Sequence, residues 1–188
     1  MSEAQANSGG ARPRRGRGLV AALLALGVLA AGPALVPVSH PGSALAAGTN
    51  PSGLPIPRFV SLRSNEVNLR TGPGLTYPID WIYKRDGMPV EVIEEFDTWR
   101  KIRDWQGTEG WVHQSMLDGK RDFLITGERR TMRLAPQEDA RPAARLEPGV
   151  IGQIIQCDDP VWCRTEVQGY RGWLKREWFF GTYPNETF

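Results

Sequence analysis

The stretch that decides the fold is VNLRTGPG at residues 67–74, because it opens a series of motifs that the chain contains twice. The first copy continues with GMPVEV (87–92), WRKI (99–102) and GTEGWV (107–112). A fainter copy follows about 62–63 residues later, with MR (132–133), Pro136, Gly149, Trp162, Gly169 and GWL (172–174). Such a period indicates two copies of one structural unit. We therefore expect a first repeat over 59–120 and a second, degenerate repeat over 121–183.

Alternation and turns, rather than a helical period, characterise both units. In MPVEVIEE (88–95), Val90 and Val92 share one face and Ile93 lies on the other, as in a half-buried strand. A turn at 96–97 leads to a second strand over 98–104, and Gly107 precedes a third strand, GWVH at 110–113. Short strands with frequent turns predict an all-β sandwich or small barrel.

These motifs resemble the bacterial SH3-like domain family, which has a V-N-L-R-x-G-P element, a Gly that opens a V-x-V strand, a W-x-K-I strand and a closing G-W-V. The first repeat carries every element. The second keeps the spacing but has Leu134-Ala135 where the first has Thr71-Gly72, so we expect its first loop to differ. The resemblance implies two tandem SH3-like barrels and, as for many exported members of the family, a non-catalytic binding module.

Residues 1–46 have the features of a signal peptide. Four arginines precede an uncharged apolar core of 13 residues at 19–31, shorter than the roughly 20 that span a membrane. Ala44 and Ala46 supply an A-x-A cleavage site before Ala47. We predict Sec-type export to the periplasm or the outside of the cell, with no membrane span after cleavage; an uncleaved anchor is the alternative. N-terminal sequencing of the exported form distinguishes the two.

The predicted mature chain, 47–188, begins with a polar, Pro-rich linker (47–58) that we expect not to pack, and ends in a short tail (184–188). Four of the 23 basic and one of the 21 acidic residues lie in the signal, which leaves 19 basic and 20 acidic residues and a net charge of −1. The basic pI of about 8.7 therefore reflects the export signal. No basic stripe predicts a nucleic-acid partner.

Cys157 and Cys163 are the only cysteines, and an even count in an exported chain predicts a disulfide. The repeat spacing aligns them with Glu95 and Arg100, so one hairpin would carry an ion pair where the other carries a disulfide. We expect Trp99 and Trp162 to point inward and these pairs outward. A cross-strand ion pair contributes about 0.2–1 kcal/mol, and a bridge closing so short a loop roughly 2–2.5 kcal/mol.

Catalysis is poorly supported. His113 is the only histidine after the signal, and both cysteines are assigned to the bridge, so a Cys/His nucleophile site has no candidates. The paired carboxylates, at 94–95 and 158–159, are strand or turn neighbours and do not face each other as a glycosidase requires. No metal-ligand spacing and no phosphate-binding loop occur. We expect no enzyme activity, no metal and no cofactor.

Aromatic residues are the candidate binding groups. Four tryptophans recur in both repeats (Trp99, Trp111, Trp162 and Trp173) and are assigned to the fold. Four aromatic residues of the first repeat have no aromatic counterpart in the second: Tyr77, Trp81, Tyr83 and Trp105. Exposed aromatic residues suit peptide and sugar binding. We predict ligand binding by Tyr77, Trp81 and Trp105, with Arg70 as a carboxylate contact; core filling is the alternative.

Two functions remain open. The first is a binding module that recognises cell-wall peptide or glycan, or an extended peptide in the bacterial envelope. The second is a structural adaptor that engages another envelope protein through the tandem repeat.

Overall fold

The computed structural model describes residues 50–188, and the predicted signal peptide lies outside that range. The fourteen strands of the described chain are β1 Arg58–Leu62, β2 Val67–Arg70, β3 Ile79–Tyr83, β4 Pro89–Phe96, β5 Trp99–Arg103, β6 Glu109–His113, β7 Leu117–Asp118, β8 Asp122–Ile125, β9 Arg130–Arg133, β10 Pro142–Leu146, β11 Ile151–Gln156, β12 Trp162–Val167, β13 Tyr170–Lys175 and β14 Phe179–Phe180. Two short 3₁₀ turns, Gln114–Met116 and Arg176–Trp178, precede β7 and β14. Across residues 50–188, no helix has the length and apolar character needed to cross a membrane.

The strands form two antiparallel sheets of identical topology. The first has the order β3-β2-β6-β5-β4-β1-β7, and the second has the order β10-β9-β13-β12-β11-β8-β14, which is the same order shifted by seven strands. Each sheet surrounds its own apolar core. The predicted all-β class and the two-repeat organisation are confirmed.

The glycine of the G-W-(V/L) motif is required by close approach of two strands. A Cβ on Gly110 would lie 2.6 Å from Leu69 Cγ and 2.9 Å from the Arg70 carbonyl oxygen. A Cβ on Gly172 would lie 2.6 Å from both Met132 Cγ and the Arg133 carbonyl oxygen. These distances are too short for any larger residue, so β6 and β13 can pack on β2 and β9 only with glycine there.

The predicted direction of the hairpin side chains is wrong by one residue. Ile102 and Val112 belong to the first core, so Arg100 points to the core face and Trp99 to the opposite face. Cys157 and Cys163 belong to the second core, and Trp162 points away from it. Successive strand residues face opposite sides of a sheet, and an error of one position therefore reverses the whole strand.

The ion pair and the disulfide do occupy equivalent places. Glu95 pairs with Arg100 in the hairpin register, and its Oε1 lies 3.2 Å from Arg100 Nε. Cys157 and Cys163 form the predicted disulfide, with Cα atoms 4.4 Å apart. Both pairs are buried rather than exposed: the Glu95 side chain has no accessible surface, and both cysteines are fully buried.

Part of the predicted linker packs against the first repeat. Ser52 donates from its backbone nitrogen (2.9 Å) and its hydroxyl (2.7 Å) to the Glu95 carboxylate. Arg58 donates to Glu95 Oε1 at 2.6 Å, and Ile56 contacts the first core. The expectation that this segment does not pack is therefore wrong for residues 52–58.

The expectation of a different first loop in the second repeat is also wrong. In the first repeat, Thr71 N donates to Pro78 O, and Gly74 N donates to Gly72 O. The second repeat has the matching bonds, from Leu134 N to Arg141 O and from Gln137 N to Ala135 O. The loop keeps its backbone hydrogen bonds through the change of side chains.

Candidate ligand-binding groove

A groove lies on the first repeat, on the face of the sheet opposite the core. It has a volume of about 620 Å³. Nine residues from β2, the loop after β2, the β4–β5 hairpin and the end of β6 line it: Glu66, Asn68, Arg70, Leu75, Thr98, Trp99, His113, Ser115 and Met116. We call it the Trp99 groove. Of the four predicted ligand-binding residues, only Arg70 lines it.

Trp99 and His113 form the centre of the groove. They are paired across β5 and β6, and their rings meet edge to face with centroids 5.5 Å apart. The Ser115 backbone nitrogen donates to His113 Nδ1 at 3.3 Å, and the Ser115 hydroxyl lies 2.7 Å from the same atom. With Nδ1 accepting from Ser115, Nε2 is the ring nitrogen left to donate. The groove therefore combines a flat aromatic ring with a hydrogen-bond donor.

Arg70 fixes the loop after β2 as well as lining the groove. Its Nη1 donates to the carbonyl oxygens of Tyr77 (2.7 Å) and Leu75 (3.3 Å). Arg133 makes the equivalent bond to Ala140 O at 2.9 Å in the second repeat. Loop anchoring is thus common to both repeats, and contact with a ligand stays a prediction for Arg70.

Tyr77 stands beside the groove on the same loop. Its side chain is 45% exposed. The ring lies directly against the backbone of Gly72, where a Cβ would come within 2.3 Å of it. Arg70 and Tyr77 are therefore brought together, as predicted for one site.

Trp81 and Trp105 lie on a different part of the first repeat. Trp81 pairs with Leu69, a core residue, so it shares the core face at the edge of the sheet and is 56% exposed. Trp105, 44% exposed, follows Asp104, whose Oδ2 accepts a hydrogen bond from buried Tyr83 at 3.0 Å. Neither Trp81 nor Trp105 lines the groove that Arg70 lines, and a ligand-binding role for both stays a prediction.

In the second repeat, different side chains surround the equivalent tryptophan. Trp162 is paired with Lys175 in the same register as Trp99 with His113. The Lys175 ammonium lies 5.7 Å from the Trp162 ring centroid and 5.4 Å from that of Trp178, and forms an ion pair with Glu138. Trp99 and Trp162 are both nearly buried, at 8% and 7% exposure, and what distinguishes the first repeat is the groove that lies beside Trp99.

Sequence reasoning missed Trp99 and His113 as groove residues. Trp99 recurs as Trp162, and for that reason it was assigned to the fold. The signal that could have revealed the difference is the change of its partner, because His113 aligns with Lys175 and Leu75 aligns with Glu138.

Glu95, a member of one of the paired carboxylates, is part of the folded framework. Glu95 is buried, and although burial raises the pKa of its carboxyl group, hydrogen bonds from Ser52 and Arg58 lower it below its ordinary value. Within residues 50–188, no group of three or more His, Cys, Asp and Glu side chains is arranged to hold a metal ion.

Two small all-β units of identical topology, each with a buried core and a tryptophan on the opposite face, define a tandem module. The family described as Bacterial SH3 domain matches residues 63–119 and 126–178. The chain belongs to this family, and its fold is two tandem SH3-like barrels.

The chain is similar to a curated protein and to solved structures. It is 28% identical over 128 residues to "Putative N-acetylmuramoyl-L-alanine amidase YrvJ" of Bacillus subtilis (strain 168), a match that covers 62% of this chain and 24% of that protein. It therefore spans about a quarter of that relative's length. NlpC2 from Trichomonas vaginalis matches with 11% identity and a TM-score of 0.33, over 70% of this chain and 51% of that one. An NlpC/P60 family protein from Bacillus cereus ATCC 10987 matches with 13% identity and a TM-score of 0.30, over 65% and 55%.

Proposed function

We propose that this protein is an exported, non-catalytic binding module of the bacterial envelope, which binds cell-wall peptide or glycan through its first repeat. Membership of the bacterial SH3 family and similarity to a protein named as an amidase of N-acetylmuramoyl-L-alanine support a cell-wall ligand. The observation that carries the proposal is the contrast between the repeats. A groove of about 620 Å³ lies beside Trp99 in the first repeat, whereas in the second repeat Lys175 lies near the Trp162 ring and forms an ion pair with Glu138.

Retention on purified sacculi tests the proposal. We expect the purified protein to co-sediment with sacculi freed of protein, and His113→Ala to weaken retention because it removes the groove donor beside Trp99. Tyr170→Ala is the matched control, since Tyr170 is an exposed aromatic residue (61%) of the second repeat. Absence of the wild-type protein from the pellet, or equal retention of both variants, would contradict binding through the groove.

Trp81 and Trp105 are tested separately, because they lie outside the groove. If they belong to the binding surface, replacing both with Ala weakens binding by about 2 kcal/mol or more, as at a true hot spot. The melting temperature should change little, because both side chains are about half exposed. Unfolding of the double variant without a binding defect in its folded fraction would assign both residues to the fold.

A second candidate function is that of an adaptor for another envelope protein. The observation that favours it is β3, which lies at the edge of the first sheet and exposes Ile79, Trp81 and Ile82. An exposed apolar edge strand is a template for pairing with an extended segment of another chain. Pull-down from an envelope protein extract, in parallel with protein-free sacculi, separates the two functions.

We expect no release of soluble fragments when sacculi are incubated with the protein alone. Glu95 is held by Arg58, Arg100 and Ser52 inside the fold and cannot reach a substrate. Reducing-sugar and free-amine assays on the supernatant measure release. Release that disappears in His113→Ala would contradict a non-catalytic function.

A further inference from the structure

We infer that the Trp99 groove binds a peptide carboxylate, with the anion between Arg70 and His113 and the adjoining chain against the Trp99 ring. This inference rests on the proposed function, because it names the chemical group that the same groove receives. The second repeat carries the argument, since it shows which groups meet at this place in the same fold.

The strand register makes the two places equivalent. Trp99 is paired with His113, and Trp162 with Lys175. Arg70 is paired with Trp111, and Arg133 with Trp173. The same three kinds of residue therefore meet in each repeat: a tryptophan, a cationic or hydrogen-bond-donating residue paired with it, and an arginine on a neighbouring strand.

In the second repeat a carboxylate of the chain itself lies at the edge of this place, on a side chain that is 76% exposed. Glu138 lies in the loop after β9 and forms an ion pair with Lys175, which lies over the Trp162 and Trp178 rings. Hydrogen bonding and charge from Lys175, and then the charge of Arg133, lower the pKa of the Glu138 carboxyl group. The ion pair with Lys175 therefore brings the Glu138 carboxylate to the side of the Trp162 ring.

The first repeat has the donors without the anion. Leu75 stands at the position of Glu138 and is 77% exposed. No ion pair formed within residues 50–188 includes Arg70 or His113. The one acidic residue of the groove, Glu66, is paired with Lys84 at 2.5 Å.

The chemistry of the lining favours a carboxylate on a peptide. The Arg70 guanidinium offers a planar set of donors that matches a carboxylate, and hydrogen bonds to charged groups are the stronger ones. Leu75, Met116 and the Trp99 ring supply apolar surface for the chain that carries the carboxylate. Apolar walls also strengthen the attraction between charges by lowering the local dielectric constant.

The experiment is an NMR titration of the ¹⁵N-labelled protein with N-acetyl-alanyl-alanine and, in parallel, with its C-terminal amide. The indole N–H signal of Trp99 reports on the groove, and the two probes differ only in the carboxylate. We expect saturable shifts at Trp99 with the acid and at least about tenfold weaker binding of the amide, as the loss of a charged hydrogen bond predicts. Equal response to both probes, or to neither, overturns the inference.

A matched pair of variants tests the position of the anion. Leu75→Glu reproduces the arrangement of the second repeat and should abolish the response of Trp99 to the acid, whereas Leu75→Gln, which removes the apolar side chain without adding a charge, should weaken the response only in part. The two variants differ in charge at an exposed position, so neither should disturb the fold. Equal response of the two variants overturns the inference. Sacculus retention of the wild-type protein is scored separately, so the proposed function survives or fails on its own measurement.

The reciprocal variant is Glu138→Gln in the second repeat. It removes the internal anion and leaves Lys175 and Arg133 free to receive another carboxylate. We expect a new response of the Trp162 indole signal to the acid and none to the amide. Failure of Trp162 to respond overturns the inference, because Glu138 would then not occupy the place of a ligand carboxylate.

Discussion

Gly72 and Tyr77 form one packing unit. The tyrosine ring occupies the space that a Cβ at position 72 would fill. The second repeat has Ala135 and Ala140 at the matching positions, so the side chain gained at one position accompanies the ring lost at the other. This exchange explains how the loop keeps its backbone hydrogen bonds in both repeats.

We expect Gly72→Ala to displace Tyr77 and to lower the free energy of unfolding by about 1–3 kcal/mol, the cost of overpacking. Urea unfolding measures the change. The double variant Gly72→Ala/Tyr77→Ala reproduces the pair found in the second repeat and should recover most of the loss. Additive destabilisation by the two substitutions would show that the residues do not compete for the same space.

Glu95 is the only carboxylate that contacts Arg100 in the part of the chain that the structure describes, 50–188. Arg100 is 4% exposed and also donates to the carbonyl oxygens of Asp97 and Trp99. The small contribution expected of an exposed cross-strand pair therefore does not apply. A buried guanidinium without its counter-charge is far more costly than an exposed one.

Glu95→Ala should destabilise the protein by about 3–5 kcal/mol, because it leaves Arg100 buried without its counter-charge. Glu94→Ala is the matched control, since Glu94 is the neighbour of Glu95 on the same strand and is exposed. Thermal unfolding of both variants measures the difference. A loss below about 1 kcal/mol for Glu95→Ala would show that Arg100 is solvated by other means.

At the level of elements, the β4–β5 and β11–β12 hairpins use different chemistry for the same purpose. The first is held by Glu95 and Arg100 beneath residues 52–58. The second is held by the Cys157–Cys163 disulfide beneath the C-terminal segment, where Phe188 O accepts from Cys157 N at 3.0 Å. Each hairpin is therefore covered by chain that lies outside the repeated motifs.

Replacing Cys157 and Cys163 together with Ala should lower the free energy of unfolding by roughly 2–2.5 kcal/mol, because the bridge closes a short loop. The melting transition measured with and without reductant gives an independent value for the same bridge. Dithiothreitol should lower the melting temperature of the wild-type protein and leave that of the variant unchanged. An equal shift in both proteins would contradict the assignment.

The strands and turns of the repeat could be predicted from the sequence, because alternation and glycine spacing are local signals. The β4–β5 hairpin, the Gly107 turn and β6 lie where the pattern indicates. Which side chains of β5 point to the core could not be predicted from the sequence. Trp99 and Ile102 are both apolar and lie on opposite faces of the strand, so either face could have been the core face. Arg100 is acceptable on the core side because it donates to Gln114 Oε1 and pairs with Glu95. Glu95 is held in turn by Ser52 and Arg58, which belong to a distant segment that the motif spacing does not specify.

The similarity of the two repeats, which predicts the fold, is also the reason why the groove could not be predicted. Residues shared by the two repeats were explained by folding, and Trp99 is shared. What differs is the set of side chains around it, with Leu75, His113 and Met116 in the first repeat and Glu138, Lys175 and Trp178 in the second. Whether such neighbours open or cover a surface depends on contacts between loops and strands that no linear spacing specifies.

At the level of the whole molecule, the last residues of the chain join the repeats. Phe59 of the first repeat meets Phe180 edge to face at 5.0 Å and the Tyr183 ring at 4.6 Å. The Tyr183 hydroxyl donates to Glu91 Oε1 at 2.7 Å. Burial, and then the hydrogen bond to Glu91, raise the pKa of this tyrosine well above its ordinary value. We call residues 180–188 the C-terminal clamp; it includes the predicted tail.

Glu186 holds the clamp in place. Its carboxylate accepts from Arg121 at 2.7 and 2.8 Å, from the Thr182 hydroxyl at 2.9 Å and from Tyr183 N at 3.1 Å. Arg121 in turn lies 4.4 Å from the Phe188 ring centroid and 5.9 Å from that of Phe59. One carboxylate thus organises the groups that bring the clamp against the first repeat.

The joint between the repeats should therefore weaken in acid. Burial opposes ionisation of Glu186, but hydrogen bonds from Arg121, Tyr183 N and Thr182 lower its pKa from 4.5 to about 2. A group whose pKa is lowered on folding stabilises the protein above its unfolded pKa, and that contribution is lost as pH falls through the folded pKa.

We expect Glu186→Gln to unfold at a lower temperature than the wild-type protein at pH 7. Between about pH 4.5 and pH 2 the gap should close, because the wild-type carboxyl group becomes protonated. Glu177→Gln, at an exposed position of the same repeat, should follow the wild-type curve throughout. A gap between Glu186→Gln and wild type that is constant from pH 7 to pH 2 would mean that the Glu186 charge does not hold the clamp.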